Sequence, residues 1–213
     1  MNTDIETYLV TQTDLSGGRS TVDVVRAAIA GGVDAVQLRE KHASARERYE
    51  LGRELREMTA DADVLFLVND RVDIAAAADA DGVHLGDDDL PVSVARDQLG
   101  SDAVVGRSVS TVEDARVAED AGADYLGVGS VFSTTSKDVR DEESGIGVET
   151  VAEIAAAVDL PVVGIGGITP SNAADVVAAG ADGVAVISAI TGSDDPEEAT
   201  RRLGTAVRNG RAS

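Results

Sequence analysis

The stretch Ala179-Gly180-Ala181-Asp182-Gly183-Val184 reads as a helix end, a tight turn and the start of a buried strand. The same order of small residues, aspartate and apolar strand occurs in Gly31-Gly32-Val33-Asp34-Ala35-Val36, in Ala80-Asp81-Gly82-Val83 and in Ala121-Gly122-Ala123-Asp124-Tyr125-Leu126. The glycines suit helix C-caps, where a positive φ favours a residue without Cβ. The four aspartates are 47, 43 and 58 residues apart, so each repeat has the length of two strand-helix units. The longer last spacing carries an inserted polar loop over 130–147.

Outward from these repeats, runs rich in Val, Ile and Leu fall near 7–11, 35–38, 64–68, 82–85, 103–106, 125–128, 161–165 and 183–187. They alternate with alanine-rich amphipathic stretches, the pattern of parallel strands buried on both faces and joined by helices. Eight such units predict an α/β fold, a single (βα)8 TIM barrel with parallel strands spanning 1–213. An open doubly wound sheet shares the alternation and is the structural alternative. Eight units in 213 residues leave fewer than about 30 residues each, so the connections must be short.

The formal net charge of −21 repels nucleic acid and anionic lipid and excludes both as general partners. No run approaches the roughly 20 apolar residues of a spanning helix, and residues 1–8 lack the basic region of an export signal, so the expected location is cytoplasmic. The absence of cysteine excludes disulfides, thiolate metal sites and thiol nucleophiles. Acidic residues on every expected helix read as a solvated surface adapted to high salt. A chain this acidic must place positive charge locally to bind anions, and its only lysines are Lys41 and Lys137. A homo-oligomer is left open.

The second strand runs into Gln37-Leu38-Arg39-Glu40-Lys41, where a strand period of two puts Gln37, Arg39 and Lys41 on one side. An amide, a guanidinium and an ammonium together suit a pyrophosphate; an ordinary charged strand end has the same composition. Asn69-Asp70-Arg71 and Gly86-Asp87-Asp88-Asp89 follow the third and fourth strands, and each by itself fits helix capping. On adjacent barrel strands, however, Asp70 and Asp89 converge on one divalent ion. Magnesium takes one or two protein carboxylates and fills its shell with water and phosphate oxygens.

Gly129 through Lys137 follows the sixth strand and offers small residues, hydroxyls and a lysine to phosphate, with a flexible polar loop as the alternative. Gly164-Ile165-Gly166-Gly167-Ile168-Thr169-Pro170 and Val186-Ile187-Ser188-Ala189-Ile190 end the seventh and eighth strands, the recurrent phosphate site of this fold. The only imidazoles are His84, read as a hydrogen-bonded strand residue within Val83-His84-Leu85, and His42, read as a loop residue. No Ser-His-Asp arrangement is visible, and nothing requires a general base.

Taken together and in order, these segments resemble the thiamine phosphate synthase family over nearly the whole chain. That family joins a pyrimidine methyl pyrophosphate to a thiazole phosphate and releases pyrophosphate. The resemblance implies that Gln37, Arg39, Lys41, Asn69, Ser108 and Lys137 bind the pyrimidine substrate, with Arg39, Lys41, Ser108 and Lys137 as the catalytic set. It assigns magnesium to Asp70 and Asp89, and the thiazole phosphate to Thr134, Ser136, Gly167, Ile187 and Ser188. The implied reaction is dissociative, with positive charge assisting departure of pyrophosphate.

Three positions depart from the family pattern. Ser133 and Ser136 replace the usual Pro and Thr, Asp87 replaces a Gln, and 138–144 is unusually acidic. A thiazole tautomerase and a non-catalytic sensor of thiamine precursors are the competing readings. The set Gln37, Arg39, Lys41, Asp70 and Asp89 argues against the tautomerase, which has no pyrophosphate to hold.

Overall fold

The computed structural model describes residues 5–134 and 145–212. Eight parallel strands close in sequence order into a barrel: β1 Thr7–Val10, β2 Ala35–Leu38, β3 Leu65–Asn69, β4 Gly82–Leu85, β5 Val104–Val109, β6 Tyr125–Gly129, β7 Val162–Ile165 and β8 Gly183–Val186. The pairing of Tyr8 with Ala185 joins β1 to β8, which rules out the open sheet. The helices are α1 Thr21–Ala30, α2 Ala45–Asp61, α3 Val72–Ala78, α4 Val92–Leu99, α5 Val112–Asp120, α6 Gly147–Ala155, α7 Ala173–Ala178, α8 Ser188–Thr191 and α9 Pro196–Arg211. Among the described residues, no helix is long and apolar enough to cross a membrane.

Two boundaries move in ways that matter. β3 ends one residue later than the apolar run suggests, so Asn69 is a strand residue. β5 extends to Val109, which puts Ser108 inside the barrel wall, paired with Gly127, and not in the loop beyond it.

Strand alternation divides the core into two shells. Tyr8, Val10, Ala35, Leu65, Leu67, Val104, Tyr125, Val163 and Ala185 pack inside the barrel. Leu9, Val36, Leu38, Phe66, Val68, Val105, Leu126 and Val184 pack outward against the helices. The outer shell explains why the strands read as continuous apolar runs, since both of their faces are covered.

Each repeat aspartate has the same task on the N-terminal face of the barrel. The carboxylates of Asp34, Asp81, Asp124 and Asp182 accept hydrogen bonds from the backbone N–H of Thr7, Phe66, Val105 and Val162, at 2.8, 2.8, 2.6 and 2.8 Å. An N–H at the start of each odd-numbered strand is thereby bonded across to the residue that introduces the next strand. The preceding turn takes a positive φ at Gly32, Gly122 and Gly180; in the second repeat Asp79 takes it, at φ 58°, a conformation that aspartate tolerates better than most residues.

Several helix starts are satisfied by side chains. Ser44 and Glu47 form a reciprocal capping box on α2, and Thr111 caps α5. The helices α3 and α4 lack such caps: Arg71 and Pro91 stand at their N-cap positions. Asn69, Asp70 and Asp89 are therefore not helix caps, contrary to the simplest reading of their neighbourhoods.

Candidate active site

The C-terminal mouth of the barrel encloses about 430 Å³ of space that opens to solvent. Its wall includes Gln37 from β2, Asn69 from β3, His84 from β4, Ser108 from β5, Gly127 from β6, Ile165 from β7 and the residue after β8, Ile187. Arg39 lines the same space. It is only 7 % exposed, its guanidinium donates to Gln12 Oε1 at 2.8 Å, and its backbone N–H donates to Thr11 Oγ1 at 3.0 Å.

Lys41 does not continue the inward row. The chain turns after Leu38, and Lys41 is an exposed residue lining an adjoining surface cleft with Arg39, Gln12, Thr13 and His42. The strand period of two fails here because the strand has already ended. Glu40 fixes this turn: its buried carboxylate accepts from Thr13 N–H at 3.0 Å and from Thr21 Oγ1 at 2.9 Å. Sequence reasoning assigned Glu40 no task, although an acid between Arg39 and Lys41 was a visible signal.

Asp70 and Asp89 meet on the rim between β3 and β4. Asp70 adopts a left-handed φ of 63°, a strained conformation for a non-glycine residue that re-aims the chain just beyond the cavity-facing Asn69. Its carboxyl is pushed up to about 6, first by burial and then by hydrogen bonding and charge repulsion from Asp89; Arg39 and Lys41 act in the opposite direction. Asp89 also accepts from Gly86 N–H at 2.6 Å. Two carboxylates in hydrogen-bond contact must share a proton or a cation. The described residues contain no cluster of three metal-ligating side chains, so an ion here would take these two carboxylates.

Asp87 adds less negative charge to this rim than its position in the sequence suggests. Arg107, on β5, pairs with it at 2.9 Å and donates to the Gly86 carbonyl as well. No pairing of this kind was anticipated from the sequence.

On the opposite side, the turn after β7 has positive φ at Gly166 (103°) and Gly167 (64°) and docks on the segment after β6. A Cβ at Gly167 would lie 2.7 Å from the Ser133 carbonyl oxygen and 2.8 Å from Phe132 Cβ, so only glycine fits. Phe132 N–H donates to Gly166 O at 3.0 Å, and Asn172 Nδ2 to Gly167 O at 3.1 Å. Thr134 follows directly. Ile187 and the exposed Ser188 introduce the short helix α8 after β8. Ser136 and Lys137 lie outside the described residues.

The sequence reading missed two residues at the cavity floor, Tyr8 and Tyr125. They are fully buried and face one another, and their hydroxyls are 3.0 Å apart. Gln37 Nε2 donates to the Tyr8 hydroxyl at 2.6 Å, and the Tyr125 hydroxyl is 2.8 Å from His84 Nδ1. The line ends at Ser108 Oγ, 2.9 Å from His84 Nε2. The available signal was a tyrosine at an inward position in each of two aliphatic strands, in a chain with only three tyrosines. His42, the other imidazole, is exposed and lies 3.7 Å from Asp14.

The family description "Thiamine monophosphate synthase" matches residues 7–190, which span the barrel from β1 into α8. The chain belongs to the thiamine monophosphate synthase family. A thiamine-phosphate synthase of Natronomonas pharaonis is 66% identical over 207 residues, 97% of each chain, and one of Moorella thermoacetica is 56% identical over 96% of each. Among solved structures, a thiamine phosphate pyrophosphorylase from Pyrococcus furiosus superposes with a TM-score of 0.89 at 44% identity, covering 98% of both chains.

Proposed function

We propose that this chain is a thiamine phosphate synthase. It condenses 4-amino-2-methyl-5-pyrimidinylmethyl diphosphate with 4-methyl-5-(2-phosphoethyl)thiazole, or its carboxylated form, to give thiamine phosphate and pyrophosphate. The observation that carries this reading is the convergence of Gln37, Arg39, Asn69 and Ser108 on one cavity, with the Asp70–Asp89 pair on its rim and close enough to Arg39 and Lys41 to feel their charge.

The carbon–oxygen bond to the diphosphate breaks first and its electron pair leaves with the diphosphate. The thiazole nitrogen then donates its lone pair to the pyrimidine methyl cation. No proton is removed at the reacting atoms, which agrees with a mouth that has no Ser-His-Asp triad among the described residues. Arg39 and Lys41 supply fixed positive charge to the leaving group, while Gln37, Asn69 and Ser108 hold the pyrimidine ring. Asp70 and Asp89 fit a magnesium ion, which would supply further positive charge to the diphosphate. The backbone turn at Gly166 and Gly167 and the residues Thr134, Ile187 and Ser188 provide the thiazole phosphate side, joined in the sequence by Ser136, while Lys137 next to it belongs with the pyrimidine substrate.

The acidic faces, such as Glu50, Glu54 and Glu57 exposed along α2, support work at high salt in a cytoplasm. The test is to supply both substrates with magnesium in molar salt and to look for thiamine phosphate and pyrophosphate. Both products are expected. Binding without turnover would replace the synthase by a sensor of thiamine precursors.

A further inference from the structure

The line of hydrogen bonds across the cavity floor has a direction. Gln37 approaches Tyr8 with its Nε2, which only donates, so the Tyr8 oxygen accepts there. The Tyr8 proton needs an acceptor of its own, and its other partner is the Tyr125 oxygen. The Tyr125 proton must then go to His84 Nδ1, which makes Nδ1 the unprotonated nitrogen and puts the imidazole proton on Nε2. That proton goes to Ser108 Oγ. The reverse order would leave the proton of the buried Tyr8 phenol without an acceptor among the described residues, at a cost that buried polar groups rarely bear.

Two ends face the cavity. The hydroxyl proton of Ser108 is left to donate into it, and the amide oxygen of Gln37 is left to accept from it. The rings between them have little freedom to reorganise. A Cβ at Gly106 would lie 2.2 Å from Tyr125 Cζ, and one at Gly127 would lie 2.8 Å from His84 Cε1. These two strand positions are thus hollowed to seat the phenol and the imidazole. Burial pushes both phenols above their ordinary value, so each keeps the proton it must pass along the line.

We propose that Tyr8, Tyr125 and His84 are positioning residues that fix Ser108 as a donor and Gln37 as an acceptor, so that the mouth selects an aminopyrimidine over its oxo counterpart. A 4-aminopyrimidine offers an N–H donor beside an unprotonated ring nitrogen. The 4-oxo ring in its lactam form offers a carbonyl acceptor beside a ring N–H, the opposite order. The discrimination lies in hydrogen-bond polarity, since the two rings have nearly the same shape. A site built to bond one pattern rejects its inverse strongly because buried groups are left unpaired. The choice of ligand rests on the synthase reading; the direction of the line does not.

Two measurements test this separately. Histidine labelled with ¹⁵N gives signals from His84 and His42 alone. At pH 8 His84 should be the neutral Nε2–H tautomer in the full chain. An Nδ1–H tautomer would overturn the proposal whatever the protein catalyses. The unreactive 4-amino and 4-oxo pyrimidine-5-methanol monophosphates are then titrated as ligands by calorimetry. The intact protein should prefer the amino ring by about 10-fold or more, and Tyr125→Phe should erase most of that preference. The same preference in a folded Tyr125→Phe protein would sink the proposal. Tyr8→Phe carries the same comparison if Tyr125→Phe does not fold. Binding of neither ligand beside the expected tautomer would count against the synthase reading and uphold the relay.

Discussion

The two ends of this barrel use aspartate for opposite purposes. On the N-terminal face, Asp34, Asp81, Asp124 and Asp182 each accept a strand N–H, and the one at Asp81 also pairs with Arg56 at 2.9 Å. On the C-terminal rim, Asp70 and Asp89 are pressed together, and Asp70 holds its proton more tightly, first because it is buried and then because Asp89 is beside it. A carboxylate given donors strengthens the fold, and a carboxylate given another carboxylate stores an unmet demand for positive charge. The difference teaches that the kind of partner, and not the residue type, separates scaffold from chemistry.

The largest effect should come from breaking the rim. Asp70→Asn should lower turnover by about 100-fold or more while the thermal midpoint holds or rises, because a repulsive contact is lost and asparagine tolerates the left-handed φ. Steady-state kinetics beside a thermal melt reads both, and near-normal turnover would remove Asp70 from the metal site. The mirror-image change is Asp81→Ala, which leaves Phe66 N–H and Arg56 without their acceptor. It should cost about 2–3 kcal/mol in urea unfolding and leave kcat per folded molecule unchanged.

A smaller effect sharpens the contrast through pH. The folded-state value of Asp70 lies above its ordinary 3.8, at about 6, so between these values the folded chain binds a proton that the unfolded chain has released. In metal-free protein this group therefore makes stability fall as pH rises from about 4 to 6. Asp70→Asn should flatten that slope in melts across the window, and magnesium should raise the midpoint of the parent near pH 7 but not that of the variant. The smallest effect belongs to Asp87→Ala. It removes an exposed partner of Arg107, and KM should change by less than about threefold.

Much of this contrast is visible in the sequence because it follows the strand period and a repeated motif. The four repeat aspartates announce the barrel, and Gln37 and Arg39 sit on the inward row that the strand period of two predicts, whereas the tasks of Asn69 and Ser108 are reached only through the family resemblance. What escapes is set by chain geometry beyond the period. Lys41 leaves the inward row because β2 stops at Leu38, and Ser108 turns out to be a wall residue because β5 runs on to Val109. Tyr8 and Tyr125 escape because their hydroxyls find partners only across the closed barrel, 117 residues apart in the chain. Arg107 escapes for a similar reason, since its bond to Asp87 joins β5 to the loop after β4.

The fourth aspartate stands 58 residues after the third, against 47 and 43 for the earlier intervals, yet its bond to Val162 has the same 2.8 Å length as the first. Length added above β6 has therefore not propagated to the seam below. Such insulation gives the lineage evolutionary slack: segments on the reactive side are open to lengthening, shortening or exchange for new substrates while closure of the barrel is inherited unchanged.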